Sequence, residues 1–248
     1  MSQLSAFKKV QSKFQGYFYD DSAALWDALL EFQTTQSIKG HMMEIGVFKG
    51  RSALMSSLHL RNDEKFLLVD IEYMDEARSN LDPFLGHRAC FLKKHSHDLQ
   101  DSDLTGFRHA CRWVHIDGDH TGEAVMNDIA LGETLLSPDG VLILDDFYNP
   151  MFPQLTEAVY SYLATNKYKL SMFLCGWNKA YLTRPTYARF YRKMIQQHLA
   201  KALHEREIHE FTIHKSAPLD ECTAFGVSGR FMDRDYCGVV TDANDLPV

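Results

Sequence analysis

Short apolar runs separated by longer stretches of helical periodicity organise the middle of the chain. Residues 113–117, WVHID, and 141–145, VLILD, are two such runs, and each ends in an acid. Between them Ala124, Ile129, Leu131, Leu135 and Leu136 recur at helical spacing, and Ser137, Pro138, Asp139 and Gly140 signal a turn. Strand, helix, turn and strand form a βαβ unit, because parallel strands need a crossover that a tight hairpin cannot supply. Residues 42–45, 66–69 and 89–92 predict three earlier strands of the same kind. The pattern is that of an α/β protein with a mostly parallel, Rossmann-like sheet between two helical layers.

The flanks read differently. Leu25, Trp26, Leu29, Leu30 and Phe32 give an N-terminal helix one apolar face, with Asp21 or Ser22 as its expected cap. Pro153 opens a helix carrying Leu155, Ala158, Val159, Tyr162 and Leu163. Residues 168–175 and 179–184 predict a hairpin around Gly176, Trp177 and Asn178. Beyond it, Tyr187, Phe190, Met194, Ile195, Leu199 and Leu203 form the stripe of a long helix, residues 208–213 and 222–227 predict two more strands, and residues 242–248 read as a loose tail. The expected division is an N-terminal helical cover over 1–40, a core over 41–184, and a mixed extension over 185–248 that packs on the core or forms a dimer contact.

The charge balance changes the choice of partner. With 33 acidic against 26 basic side chains and a formal net charge of -7, no long-range attraction draws the protein to nucleic acid or an anionic membrane. A local basic pocket stays open as a reading. Cys90, Cys111, Cys175, Cys222 and Cys237 include no CxxC pair, and the first three lie in or beside apolar strand-like runs and read as core thiols rather than metal or catalytic groups. No signal peptide or membrane-length apolar run is evident, so a soluble cytoplasmic protein is the expectation.

Candidate chemistry gathers where the strands end, as ligand sites do in open α/β sheets. Glu44, Gly46, Gly50 and Ser52 lie in or beside a loop after the first strand. Its GxxxG spacing fits neither the dinucleotide fingerprint nor a phosphate-binding loop, and Glu44 would repel a polyphosphate while suiting an ammonium group. Asp70 ends the second strand, where an acid can accept both hydroxyls of a ribose. His95, Ser96, His97 and Asp98 follow the third strand and suit loop hydrogen bonds better than a metal. His115, inside the fourth strand, reads as a core histidine. His120 has left that strand and is the better general base. Asp117, Asp145 and Asp146 would repel one another unless protonated or neutralised, and their hard oxygens suit Mg²⁺, Mn²⁺ or Ca²⁺. Helix capping and solvation are the plain alternative.

The segments MEIGVFKGRS, LLVDIE, HSHD, HIDGDH and VLILDDF, in this order between residues 42 and 184, resemble class I S-adenosylmethionine-dependent methyltransferases. The similarity extends to metal-dependent small-molecule and macrolide-sugar O-methyltransferases and to the cephalosporin hydroxylase-like group. The resemblance implies S-adenosyl-L-methionine as cofactor, bordered by Glu44, Gly46, Gly50, Ser52, Asp70, Ser96 and Asp117. It implies a divalent ion on Asp117, Asp145 and Asp146, and a seven-stranded sheet ending in an antiparallel hairpin. Catechol-type members carry a lysine base where this chain has His120, so histidine would take that part with Asp117 beside it. The activity implied is O-methylation of a hydroxylated small molecule, a natural-product sugar or a phenolic metabolite. Two other readings stand beside it: a hydroxylase-like metalloenzyme, and a non-enzymatic protein that binds an adenosine ligand.

Overall fold

The computed structural model describes residues 2–166, 168–215 and 224–229. The βαβ reading holds. Five parallel strands, β1 (His41–Ile45), β2 (Phe66–Asp70), β3 (Ala89–Lys93), β4 (Cys111–Ile116) and β5 (Leu136–Leu144), are followed by the hairpin of β6 (Ser171–Gly176) and β7 (Lys179–Thr183). β7 enters antiparallel to β5, and β8 (Phe211–Lys215) with β9 (Phe225–Gly229) extends the sheet beyond β6. Among the described residues the order is β3-β2-β1-β4-β5-β7-β6-β9-β8, nine strands. The two outermost come from the C-terminal extension, where two strands were expected. The tail at 242–248, Cys222 and Cys237 lie outside the described residues.

Helices α1 (Leu4–Val10), α2 (Asp20–Thr35), α3 (Arg51–Ser57), α4 (Met74–Leu85), α5 (Gly122–Leu135), α6 (Pro153–Thr165), α7 (Pro185–Met194) and α8 (Ala200–His204) cover the sheet. Side chains alternate across it with a period of two. Met42, Trp113, Val141, Ile143, Phe173 and Tyr181 enter a core shared with α1 to α4, α7 and α8, whereas Met43, Ile45, Val114, Ile116, Leu142 and Leu144 enter the core under α5 and α6. Fully burying an aliphatic or phenyl side chain contributes about 1.5–3 kcal/mol. The layers therefore hold together mainly through these two apolar faces.

Three local expectations are revised by packing. α2 starts at Asp20 with no side-chain cap, so Asp21 and Ser22 lie in its first turn, and Ser22 is buried against the sheet. The buried stripe of α5 is Val125, Asp128, Ile129, Gly132 and Leu135. Residues 137–140 are a wide bulge within β5: Cys111 pairs with Leu136, but Trp113 already faces Val141. The C-terminal stripe does pack on its own sheet, with Tyr191, Met194, Ile195, Leu199 and Leu203 buried, and a π-helical segment, Ile195–Leu199, joins α7 to α8.

Chain order places the site. β1 to β3 wind toward one edge, and the chain then crosses back to lay β4 on the other side of β1. A crevice opens at the carboxyl ends of two adjacent strands whose crossovers diverge, here β1 and β4. Among the described residues no helix is long and apolar enough to cross a membrane.

Candidate functional site

Gly46 leaves β1 with φ +81°, and a Cβ there would stand 1.7 Å from the Asp117 carbonyl oxygen. The two strand ends approach so closely that only hydrogen fits. Gly46→Ala is expected to lower stability by more than about 2 kcal/mol, because steric overlap adds to the left-handed backbone cost. Gly106 has φ +85° in open space, so Gly106→Ala isolates the backbone cost alone, about 1–2 kcal/mol. Urea unfolding of both variants checks the claim; equal losses would refute the close approach.

From Gly46 the loop runs through Gly50 into α3 and is fastened on both sides. Asp70, at the end of β2, accepts from the Phe48 amide at 2.6 Å and the Glu72 amide at 2.9 Å. Arg51 donates to the Gly16 carbonyl at 3.1 Å and to Gln11 Oε1 at 2.9 Å, and Lys49 Nζ donates to Gln15 at 2.8 Å. The segment between α1 and α2 thus lies against the loop. Together they enclose a cavity of about 140 Å³ lined by Gly16, Phe18, Gly46, Ser52, Asp117 and Asp145 among others.

A row of charges crosses the sheet beneath this cavity. Glu44 on β1 pairs in register with His115 on β4, and both point to the α2 face. Ser52 donates to Glu44 Oε1, His115 Nδ1 lies 3.4 Å from the same oxygen, and Glu44 Oε2 is buried without a hydrogen-bond partner. His115 Nε2 is 3.3 Å from Asp145 Oδ2, and Lys179 Nζ sits 2.6 Å from each Asp145 oxygen. Trp26 covers the row, its ring 4.7 Å edge-on from His115.

Burial alone would lower the His115 pKa, but Glu44 and Asp145 raise it to about 9. Burial likewise opposes ionisation of Asp145, yet Lys179 and His115 hold its pKa below the usual carboxylate range. The row is two anions and two cations, Glu44, His115, Asp145 and Lys179. Because the folded pKa of His115 exceeds the unfolded 6.5, its stabilising contribution is full below pH 6.5 and is lost as pH rises through about 9. Urea midpoints are expected to fall across that window in the parent more than in His115→Gln. Parallel slopes would refute the charged histidine.

A second group lies at the mouth. His120 Nε2 is 2.7 Å from Asp146 Oδ2 and 3.8 Å from Asp117 Oδ1, and its ring stacks on Phe152 at 4.1 Å. Asn149 and Asn178 donate to Asp146 Oδ1 at 2.7 and 2.6 Å. The Asp146 carboxylate beside Nε2 raises the His120 pKa despite partial burial. Burial resists ionisation of Asp146, but His120, Asn149 and Asn178 lower its pKa overall. Asp117 is pushed well above the usual range by burial and then by the charge of Asp145. Among the described residues no hydrogen bond reaches its carboxyl. Asp119 is exposed and accepts from the Thr121 amide at 2.8 Å.

The expected residues are therefore brought to one edge in two groups: Glu44, Gly46, Gly50, Ser52 and Asp70 around the loop, and Asp117, His120, Asp145 and Asp146 across from it. Ser96 stands on a one-turn helix after β3, its hydroxyl bonded to the buried acid of α5, Asp128, whose pKa burial pushes up to about 6. Among the described residues two sets of side chains have donor atoms close enough to share an ion, His115 with Asp117 and Asp145, and Asp117 with His120 and Asp146. Lys179 was missed. A lysine opening an apolar strand, two residues before the inward Tyr181, was the available signal. Cys90, Cys111 and Cys175 are free thiols, and burial raises the pKa of the latter two.

Residues 43–147 match a family model described as a methyltransferase domain. The first seven strands end in the antiparallel hairpin that the resemblance implied, and β9 and β8 extend the sheet beyond it. The chain has a class I methyltransferase fold. Similar solved structures of this fold include the O-methyltransferase NovP, at 18% identity over 66% of this chain and 80% of that one, with a TM-score of 0.53. CalS11, the TDP-rhamnose 3'-O-methyltransferase of calicheamicin biosynthesis, aligns at 13% identity over 73% and 92% with a TM-score of 0.54. A Bacillus cereus O-methyltransferase in complex with SAH aligns at 14% identity over 73% and 90% with a TM-score of 0.55. No curated protein matches the sequence. In this methyltransferase fold both groups of residues lie at the strand ends around the crevice between β1 and β4.

Proposed function

We propose that the protein transfers the methyl group of S-adenosyl-L-methionine to a hydroxyl of a small molecule, a natural-product sugar or a phenolic metabolite, with the help of Mg²⁺ or Mn²⁺. One observation carries the reading: one cavity is lined from one side by the glycine loop and from the other by Asp117 and Asp145, and the Asp117 carboxylate is in turn 3.8 Å from His120, the partner of Asp146. The buried, unpaired Glu44 Oε2 suits the cofactor's ammonium group, and Asp70 suits its ribose. Neither residue suits a polyphosphate.

The donor set fits a divalent ion at Asp117 and Asp146. Among the described residues Asp117 accepts no hydrogen bond, and burial and the charge of Asp145 oppose its ionisation, a condition that a cation relieves. When bound there, such an ion would polarise the acceptor hydroxyl and lower its pKa. The protein's own part is proton removal and alignment. Asp146 engages His120 Nε2, which leaves Nδ1 to take the hydroxyl proton, while Phe152 fixes the ring plane. The acceptor oxygen then attacks the methyl carbon as the carbon–sulfur bond breaks, giving a methyl ether and S-adenosylhomocysteine.

Calorimetric titration with S-adenosylhomocysteine, followed by methyl-transfer assays on polyhydroxylated acceptors with Mg²⁺ and with chelator, tests the reading. Binding of the adenosyl ligand and metal-stimulated transfer are expected. A folded protein that binds no adenosyl ligand would overturn the cofactor, and transfer indifferent to chelator would overturn the ion.

A further inference from the structure

We infer that Lys179 is the resident cation of Asp145 and keeps that carboxylate from serving as a metal ligand. A carboxylate has about four lone-pair sites for partners. Asp145 fills them from within the protein: Oδ1 accepts from Lys179 Nζ at 2.6 Å and from the Asp146 amide at 2.9 Å, and Oδ2 accepts from Lys179 at 2.6 Å and faces His115 Nε2 at 3.3 Å. Both acid and ammonium are nearly enclosed, with side-chain exposures of 10% and 3%. The neighbouring acids differ. Among the described residues Asp117 receives no hydrogen bond, and Asp146, whose Oδ1 accepts from Asn149 and Asn178, meets only His120 at Oδ2.

The lysine is held in place by its strand. Trp177 and Asn178 have φ +45° and +67°, the two positive values of a tight hairpin turn, and Gly176 pairs directly with Lys179. β7 thereby directs Lys179 to the same face as Tyr181, under Phe18, whose ring lies 5.5 Å from Nζ. An ammonium confined to this spot and bonded to both oxygens takes the positions from which Asp145 would coordinate an ion. It also supplies a positive charge that repels one. A divalent ion is left with Asp117 and Asp146, so this inference sharpens the cation reading above, and its test separates the two.

Mn²⁺ affinity of the folded protein is measured by calorimetry for the parent, Asp145→Asn, Asp146→Asn and Lys179→Met, with the corresponding melting curves. Asp145→Asn is expected to keep the parent affinity within about threefold, Asp146→Asn to lose about tenfold or more, and Lys179→Met to gain about tenfold as Asp145 is released. Equal losses in the two aspartate variants would overturn the inference. A parent that binds no Mn²⁺ removes the cation reading alone: the inference then stands if Lys179→Met acquires binding and falls if it does not. Should Lys179→Met fail to fold, the ¹⁵Nζ resonance of Lys179 in the parent decides. A protected ammonium signal unchanged between chelator and saturating Mg²⁺ supports the inference; its loss or displacement by Mg²⁺ overturns it.

Discussion

Replacing Arg112 with methionine is expected to cost about 3–5 kcal/mol of stability, the range for removing one partner of a buried ion pair. Arg112 is fully buried on β4, and its guanidinium has no water to fall back on. Nε and Nη2 bond the two Glu64 oxygens at 2.9 Å each, Nη1 bonds Gln33 Oε1 at 2.9 Å, and Nη2 also reaches the His59 carbonyl at 2.9 Å. Burial resists ionisation of Glu64, yet Arg112 lowers its pKa overall. Methionine would fill the volume and leave a buried carboxylate, an amide oxygen and a carbonyl without this donor. For a chain of this size the melting temperature should fall by about 6–20 °C. Arg112→Met/Glu64→Met should recover part of the loss, because the stranded charge is removed with its partner. A single variant within about 1 kcal/mol of the parent in urea would show that the network contributes little.

Arg112 also marks the boundary of what the sequence discloses. The five parallel strands, the crossover order and the hairpin were legible because each is a local apolar run bounded by its own turn chemistry. The strand-end acids were legible for the same reason, since the end of a run fixes where Asp70, Asp117 and Asp145 must stand. Long-range pairing is different. Nothing near Arg112 in the chain announces Glu64 or Gln33, and nothing near Asp145 announces Lys179, 34 residues on. His115 read correctly as a core histidine, but its charge depends on Glu44 and Asp145, which only the strand register brings beside it. The bulge at residues 137–140 was a turn in sequence and is a strand irregularity in the fold, because β4 continues alongside it. In each case side chains from distant segments decide the role of a residue that local pattern can only place.

The largest effect on turnover is expected at His120. If its imidazole takes the hydroxyl proton, His120→Asn should reduce kcat by about 10²–10⁴-fold while leaving S-adenosylhomocysteine affinity close to the parent's. The direction of the pH dependence follows from its partners. Only the neutral ring accepts a proton, and Asp146 raises the pKa from the ordinary 6.5, partly offset by burial. The acid limb of kcat/KM should therefore lie above pH 6.5, with activity rising through it. Asp146→Asn removes the charge that favours imidazolium, so the limb should move to lower pH even as the loss of orientation lowers the plateau. That pairing, a lower plateau with a limb shifted toward acid, separates a base held by a carboxylate from a histidine that merely caps the turn before α5. A His120→Asn variant that retains both the plateau and the limb would assign proton removal to another group.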